Sequence, residues 1–113
     1  MKQPRGLRCT ITYPVPPLPV RVTPLRDRST LAATVAVLGD ETRLRIIELL
    51  RARDLSTREF SGFLQIAAPL ISRHLQALLR AQLVERYRSG YFVMYRLNRK
   101  ALAEAAASIS ALV

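Results

Sequence analysis

A mainly α domain carrying one β-hairpin, preceded by an extended N-terminal arm, is the fold class that this 113-residue sequence predicts. Three observations predict it. Apolar residues recur at helical spacing from Leu31 to Leu83, the period drops to two between Val84 and Leu97, and six of the seven prolines fall within residues 1–28. The length allows one core, so the chain divides into an arm over 1–28 and a folded domain over 29–113.

In the arm, Leu7, Cys9, Ile11 and Tyr13 alternate with Arg8, Thr10 and Thr12, the period of a half-buried strand. Residues 14–20 then read Pro-Val-Pro-Pro-Leu-Pro-Val, which favours stiff polyproline geometry. From Ser29 the pattern becomes helical. Residues 31–38 are apolar on nearly every side, so this helix is expected to be buried all round. Gly39 ends it, and Asp40 caps a second helix over 41–52 whose inner face is read as Leu44, Ile47 and Leu50. Ser56 to Glu59 form a capping box that opens a third helix, with Phe60, Phe63 and Leu64 facing inward. After a break at Ile66-Ala67, Pro69 suits the first turn of a fourth helix running to about Ala81. Its inner stripe is Ile71, Leu75 and Leu78, continuing to Leu83. At about 100° per residue, Pro69, Arg73, Gln76 and Arg80 lie opposite, with Ser72 on the flank. Strands over 84–87 and 91–97 flank a loop at Arg88-Ser89-Gly90, where glycine supplies the positive φ of a hairpin. Asn98 caps a last helix with the stripe Leu102, Ala105, Ile109 and Leu112.

Composition narrows the function. Eighteen Lys and Arg against eight Asp and Glu leave a formal charge of +10, which points to a polyanionic partner. The excess is uneven. Residues 1–26 carry five cations and no acid, residues 40–59 cancel, and residues 69–100 carry seven cations against Glu85 alone. A solvated face usually mixes the signs, so the last segment resembles a phosphate footprint. One cysteine, Cys9, excludes an intrachain disulfide, and one histidine, His74, excludes most zinc ligand sets. No run approaches the roughly 18–20 apolar residues of a membrane span, and the first apolar run is too broken for a signal peptide. A reducing cytoplasm is the expected setting. The one pairing offered for catalysis, Ser72 with His74, stands two apart on a helix and diverges, so an enzyme is not expected.

Helix, helix, short helix, helix and basic hairpin is the order of a winged helix-turn-helix. In that arrangement the fourth helix is held by its inner stripe and offers its outer face to a major groove about 12 Å wide. The residues also carry a family likeness. Residues 39–47 (Gly-Asp-Glu-Thr-Arg-Leu-Arg-Ile-Ile), 69–75 (Pro-Leu-Ile-Ser-Arg-His-Leu), Leu83-Val84 and the stretch from Gly90 to Leu97 resemble the arsenic-repressor (ArsR-type) family of bacterial regulators. The resemblance covers residues 31–113 and implies a homodimeric, sequence-specific regulator of a bacterial promoter that responds to a metal or another inducer. It also implies dimerisation through the first and last helices. The sequence asks for this independently, because Leu31, Val35, Leu38, Leu102, Ile109 and Leu112 offer apolar surface that a small monomer cannot cover.

The expected partner is double-stranded DNA, together with a second copy of the chain and no membrane. The candidate contacts are Thr57, Pro69, Ser72, Arg73, His74, Gln76 and Arg80 in the helices and Arg86, Arg88 and Tyr91 in the hairpin. Arg73 suits a guanine edge and Gln76 an adenine edge. Ser72 reads as a phosphate or base contact or as an ordinary helix serine, and His74 as a packed or phosphate-contacting side chain. The residues make no cofactor certain, and a regulatory transition metal ion, a redox response through Cys9 and a regulator that senses nothing all stay open. For a regulatory transition metal ion, the cysteines that metal-sensing members carry at the start of the third helix are replaced here by Leu55 to Phe60, and the last helix offers only Glu104. Cys9 is the remaining candidate, with a buried structural thiol and a redox or metal-sensing role both open. A basic protein- or membrane-interaction module is the other class, and it leaves the outward Arg/Gln face without a purpose.

Overall fold

A computed structural model describes residues 25–113. The expected strand at 7–13, the spacer that follows it, and Cys9 lie outside the described residues. The elements run α1 (Leu25–Leu38), α2 (Glu41–Ala52), β1 (Leu55–Ser56), α3 (Thr57–Leu64), α4 (Ala68–Arg80), β2 (Val84–Ser89), β3 (Phe92–Leu97) and α5 (Arg99–Ser110). The three strands form one antiparallel sheet in the order β1-β3-β2. Among the described residues no helix is long and apolar enough to cross a membrane.

Local chemistry explains the helix boundaries. Asp40 accepts from the Arg43 backbone N–H at 3.2 Å and starts α2. At α3, Ser56 Oγ accepts from Glu59 N at 3.3 Å while Glu59 Oε1 accepts from Ser56 N at 2.9 Å, the reciprocal capping box the sequence announces. Helix α4 ends in a Schellman arrangement. Leu83 N donates to Leu78 O at 3.0 Å and Gln82 N to Leu79 O at 2.9 Å, with Gln82 held at φ +61°. Asn98 then does two things. Its Oδ1 caps α5 by accepting from Ala101 N, and its Nδ2 donates to the Gln82 carbonyl at 3.0 Å, tying α5 to the end of α4.

The core collects Ile46, Ile47 and Leu50 of α2, Leu55 of β1, Phe60 of α3, Ile71, Leu75 and Leu78 of α4, and Leu83, Val84, Tyr95 and Leu97 around the sheet. Burial of each such aliphatic side chain contributes about 1.5–3 kcal/mol, which fixes α4 firmly by one face.

Several expectations change. Helix α1 runs Leu25–Leu38 and so includes residues ahead of Ser29, where the helical pattern was expected to begin. It is not buried all round within the single chain: Val35 is 45% exposed, and Leu31, Thr34, Val37 and Leu38 are half-buried. On α2 the inner stripe is Ile46, Ile47 and Leu50, whereas Leu44 is 48% exposed. The stripe begins at half-buried Arg43, and a charged residue there makes the apolar pattern look displaced by one. On α3, Phe60 and Leu64 turn inward but Phe63, some 60° away, is 59% exposed. The hairpin loop is Gly90-Tyr91, so Arg88 and Ser89 belong to β2. Gly90 lies at φ +62°, and a two-residue loop with glycine first is the type II′ arrangement. Strand β1 was not expected. Two residues give no periodicity, and only pairing with Met94 and Tyr95 makes them a strand.

Candidate nucleic-acid interface

Helix α4 presents the first half of the candidate surface. Its inner stripe, Ile71, Leu75 and Leu78, is completely buried, and that leaves Pro69, Ser72, Arg73, Gln76 and Arg80 exposed together. Arg73 and Gln76 make no hydrogen bond or ion pair among the described residues, so their donors are available to a ligand. Thr57 stands in the first turn of α3 and is half-buried. His74 behaves differently from its neighbours. It is half-buried, and its Nδ1 accepts from Arg43 Nε at 3.2 Å, which draws the ring toward α2 and away from the exposed face.

The hairpin presents the second half. Register pairs Arg86 with Tyr95 and Arg88 with Val93, so the two arginines share one face of β2, beyond the point where Val84 and Tyr95 enter the core. Both are exposed, and neither has a carboxylate partner among the described residues. Tyr91 sits at the tip and is 97% exposed. On the opposite face the charged groups are paired. Arg96 Nε donates to Glu85 Oε1 at 2.8 Å from the directly opposite position, its guanidinium lies 5.1 Å from the Tyr87 ring centroid, and Tyr87 Oη donates to Asp54 Oδ2. The bond to Asp54 pushes the Tyr87 hydroxyl up from its ordinary value, and Glu85 holds Arg96 still more firmly protonated. Two basic residues of the segment 69–100 are therefore engaged internally, Arg96 with Glu85 and Arg99 with the Arg51 carbonyl at 3.1 Å. The remaining arginines concentrate on α4 and on one face of β2.

Arg43 was missed as a site-building residue. Besides His74 it reaches the Val37 carbonyl through Nη1 at 3.1 Å, closing the C-terminus of α1. The available signal was an arginine at the start of the α2 inner stripe, with the chain's one histidine on the helix packed against it.

For the dimer candidates, Leu38 and Leu102 are half-buried against the chain's own core, and Leu31 is half-buried. Val35, Ile109 and Leu112 are exposed, Leu112 at 72%. Helices α1 and α5 pack together and leave between them a groove of about 440 Å³, with Leu31, Thr34, Glu104 and Ser108 in its walls. Among the described residues no three His, Cys, Asp or Glu side chains converge. Leu55 to Phe60 bring neither thiol nor imidazole.

Comparison with known proteins places this geometry. The model of the bacterial regulatory protein, arsR family, matches residues 40–86, from the cap of α2 into β2. The transcriptional repressor SdpR of Bacillus subtilis (strain 168) is 34% identical over 65 residues, covering 58% of this chain and 72% of its own length. An ArsR-like transcriptional regulator from Rhodococcus sp. RHA1 superposes with a TM-score of 0.72 at 30% identity, over 78% of this chain and 83% of that one. A homodimeric winged helix-turn-helix DNA-binding domain from Mycobacterium bovis shares the fold, with a TM-score of 0.65 at 22% identity over 82% of this chain and 90% of its own. With the matched segment spanning the whole helix-turn-helix and the start of the hairpin, the chain belongs to the arsR family of bacterial regulatory proteins and is a winged helix-turn-helix, DNA-binding transcriptional regulator.

Proposed function

We propose that the chain works in the cytoplasm as a homodimer that reads an imperfect palindrome in promoter DNA, with one α4 in each of two major-groove half-sites. The observation that carries this reading is the division of α4 into a fully buried stripe and an exposed face of Ser72, Arg73 and Gln76. A helix held so firmly by one side is pre-organised to present the other to base edges. Arg86, Arg88 and Tyr91 bear on the flanking backbone, where cations position without reading sequence. Dimerisation is supported by the apolar residues left exposed on α1 and α5 and by the homodimeric Mycobacterium bovis domain of the same fold. No catalytic step is assigned to Ser72 and His74, since the histidine's Nδ1 is committed to Arg43. If a transition metal ion or an oxidant is the inducer, Cys9 is the one thiol on which it acts. Calorimetric titration of the native chain and of Cys9→Ser would test that.

The deciding experiment is selection of duplexes from a random-sequence library, followed by footprinting. Enrichment of a palindrome with half-sites about one helical turn, or a multiple, apart supports the reading. Binding without enrichment of any sequence would overturn it.

A further inference from the structure

Among the described residues, His74 is the only side chain of α4 that hydrogen-bonds another helix. Its partner, Arg43, holds the Val37 carbonyl with the same guanidinium, while its backbone N–H is held by Asp40. One residue thus joins the last turn of α1, the first turn of α2 and the middle of α4. The bond also fixes the roles of the two side chains. A guanidinium only donates, so Nδ1 is the acceptor in this contact.

We propose that the Arg43–His74 bond is a proton-sensitive positioning contact that sets how α4 presents Ser72, Arg73 and Gln76, so that uptake of a proton by His74 weakens DNA binding. The proposal rests on α4 being the element that reads DNA. A proton on Nδ1 turns the acceptor into a donor and sets an imidazolium against a guanidinium across 3.2 Å. The neighbouring charges decide where the ring goes. On α2, Arg43 repels it, and Asp40 lies close enough for the histidine's charge to act on its carboxylate. On α3 and β2 the carboxylates are engaged elsewhere, Glu59 by Arg53 and Ser56 and Glu85 by Arg96, and Arg58, Arg86 and Arg88 are exposed. The last two turns of α1 carry no charge, and on α4 itself the nearest cation, Arg73, points outward. Protonated His74 therefore leaves Arg43 Nε, and the fork that joins the three helices loses its arm to α4. The proton comes from solvent, and nothing else is consumed.

The test measures affinity for the library-selected palindromic duplex between pH 7.5 and 5.5 at constant salt, the window in which histidine changes charge. His74→Asn keeps an acceptor near the Nδ1 position and cannot titrate, whereas His74→Gln moves its acceptor outward. The native chain is expected to lose about tenfold more affinity over that window than His74→Asn, by the linkage between proton binding and DNA binding. At pH 7.5, His74→Asn is expected to bind more tightly than His74→Gln. Circular dichroism melts at each pH verify folding, and if Arg43→Lys also folds, it should lose the acid response with its Nε–H. An identical acid response in His74→Asn overturns the proposal, as does tighter native binding at low pH, which would mean an imidazolium on a phosphate. Arg73→Ala run in parallel separates the two claims. If it leaves affinity and base preference unchanged, the reading of α4 fails. If it is defective while His74→Asn tracks the native chain, only the proton-sensitive contact fails.

Discussion

Arg73 leaves α4 on the side opposite Ile71, Leu75 and Leu78, with no acid to neutralise it among the described residues. A bidentate arginine on a guanine edge discriminates by about 1–3 kcal/mol, so Arg73→Ala should weaken binding to the selected palindrome by that amount and relax base preference. Competition assays against scrambled duplexes check this, and equal weakening on both would make Arg73 a phosphate contact. The capping carboxylates carry a different expectation. The Arg43 backbone N–H holds Asp40 below its usual 3.8, and the Ser56 backbone N–H, aided by Arg53, holds Glu59 below its usual 4.5. Their folded-state values lie below the unfolded ones, so their stabilisation is complete above about pH 4.5 and is lost as pH falls through the folded values. Thermal melts from pH 6 to pH 3 should show that loss, and Glu59→Gln should lower the melting temperature at pH 6 while flattening part of the slope. The caps were legible because they depend on neighbours in the chain. Arg43 and His74 were not, because they stand 31 residues apart and meet only when α2 packs on α4.

The elements themselves divide in the same way. Helix α4 was readable almost to its ends, since a full stripe of three aliphatic residues leaves one amphipathic solution. Its terminus is less comfortable than its middle. Gln82 takes the left-handed position that glycine favours, and Gln82→Gly should therefore stabilise the chain by about 1 kcal/mol in urea denaturation. The carbonyl that Asn98 uses remains in place, so α5 should be unaffected. In the hairpin, the two-residue loop extends β2 to Ser89 and puts Arg86 and Arg88 on one face. Each should contribute one phosphate contact. Arg86→Ala and Arg88→Ala should weaken binding to all duplexes alike and lower the slope of log affinity against log salt by about one apiece. Titrations from low to moderate salt check this, and an unchanged slope would remove the hairpin from the backbone.

At the scale of the whole molecule, α1 and α5 lie side by side with Val35, Ile109 and, just past α5, Leu112 exposed, while Leu38 and Leu102 are half-buried against the chain's own core. Exposed aliphatic residues on two adjacent helices suit an isologous interface, in which the same patch meets itself across a two-fold axis. Light scattering at micromolar concentration should give twice the chain mass. The double substitution Val35→Glu and Ile109→Glu should return the monomer mass and lose affinity for the palindrome, while a single half-site is still bound weakly. A native monomer under those conditions would refute the dimer.

Three properties were decided by residue order alone: helical and strand periods, the capping box, and the concentration of positive charge in residues 69–100. All of them follow from neighbours within a turn or two, so the winged helix-turn-helix class and the outer face of α4 could be read in advance. Tertiary structure decided the rest. It kept Arg43 half-buried at the head of an apolar stripe and left Leu44 and Phe63 outside it. It also made a strand of Leu55-Ser56, neutralised Arg96 with Glu85, and drew His74 away from its neighbours on α4. Each of these depends on a partner distant in sequence, and local pattern carries no information about which distant side chain will arrive.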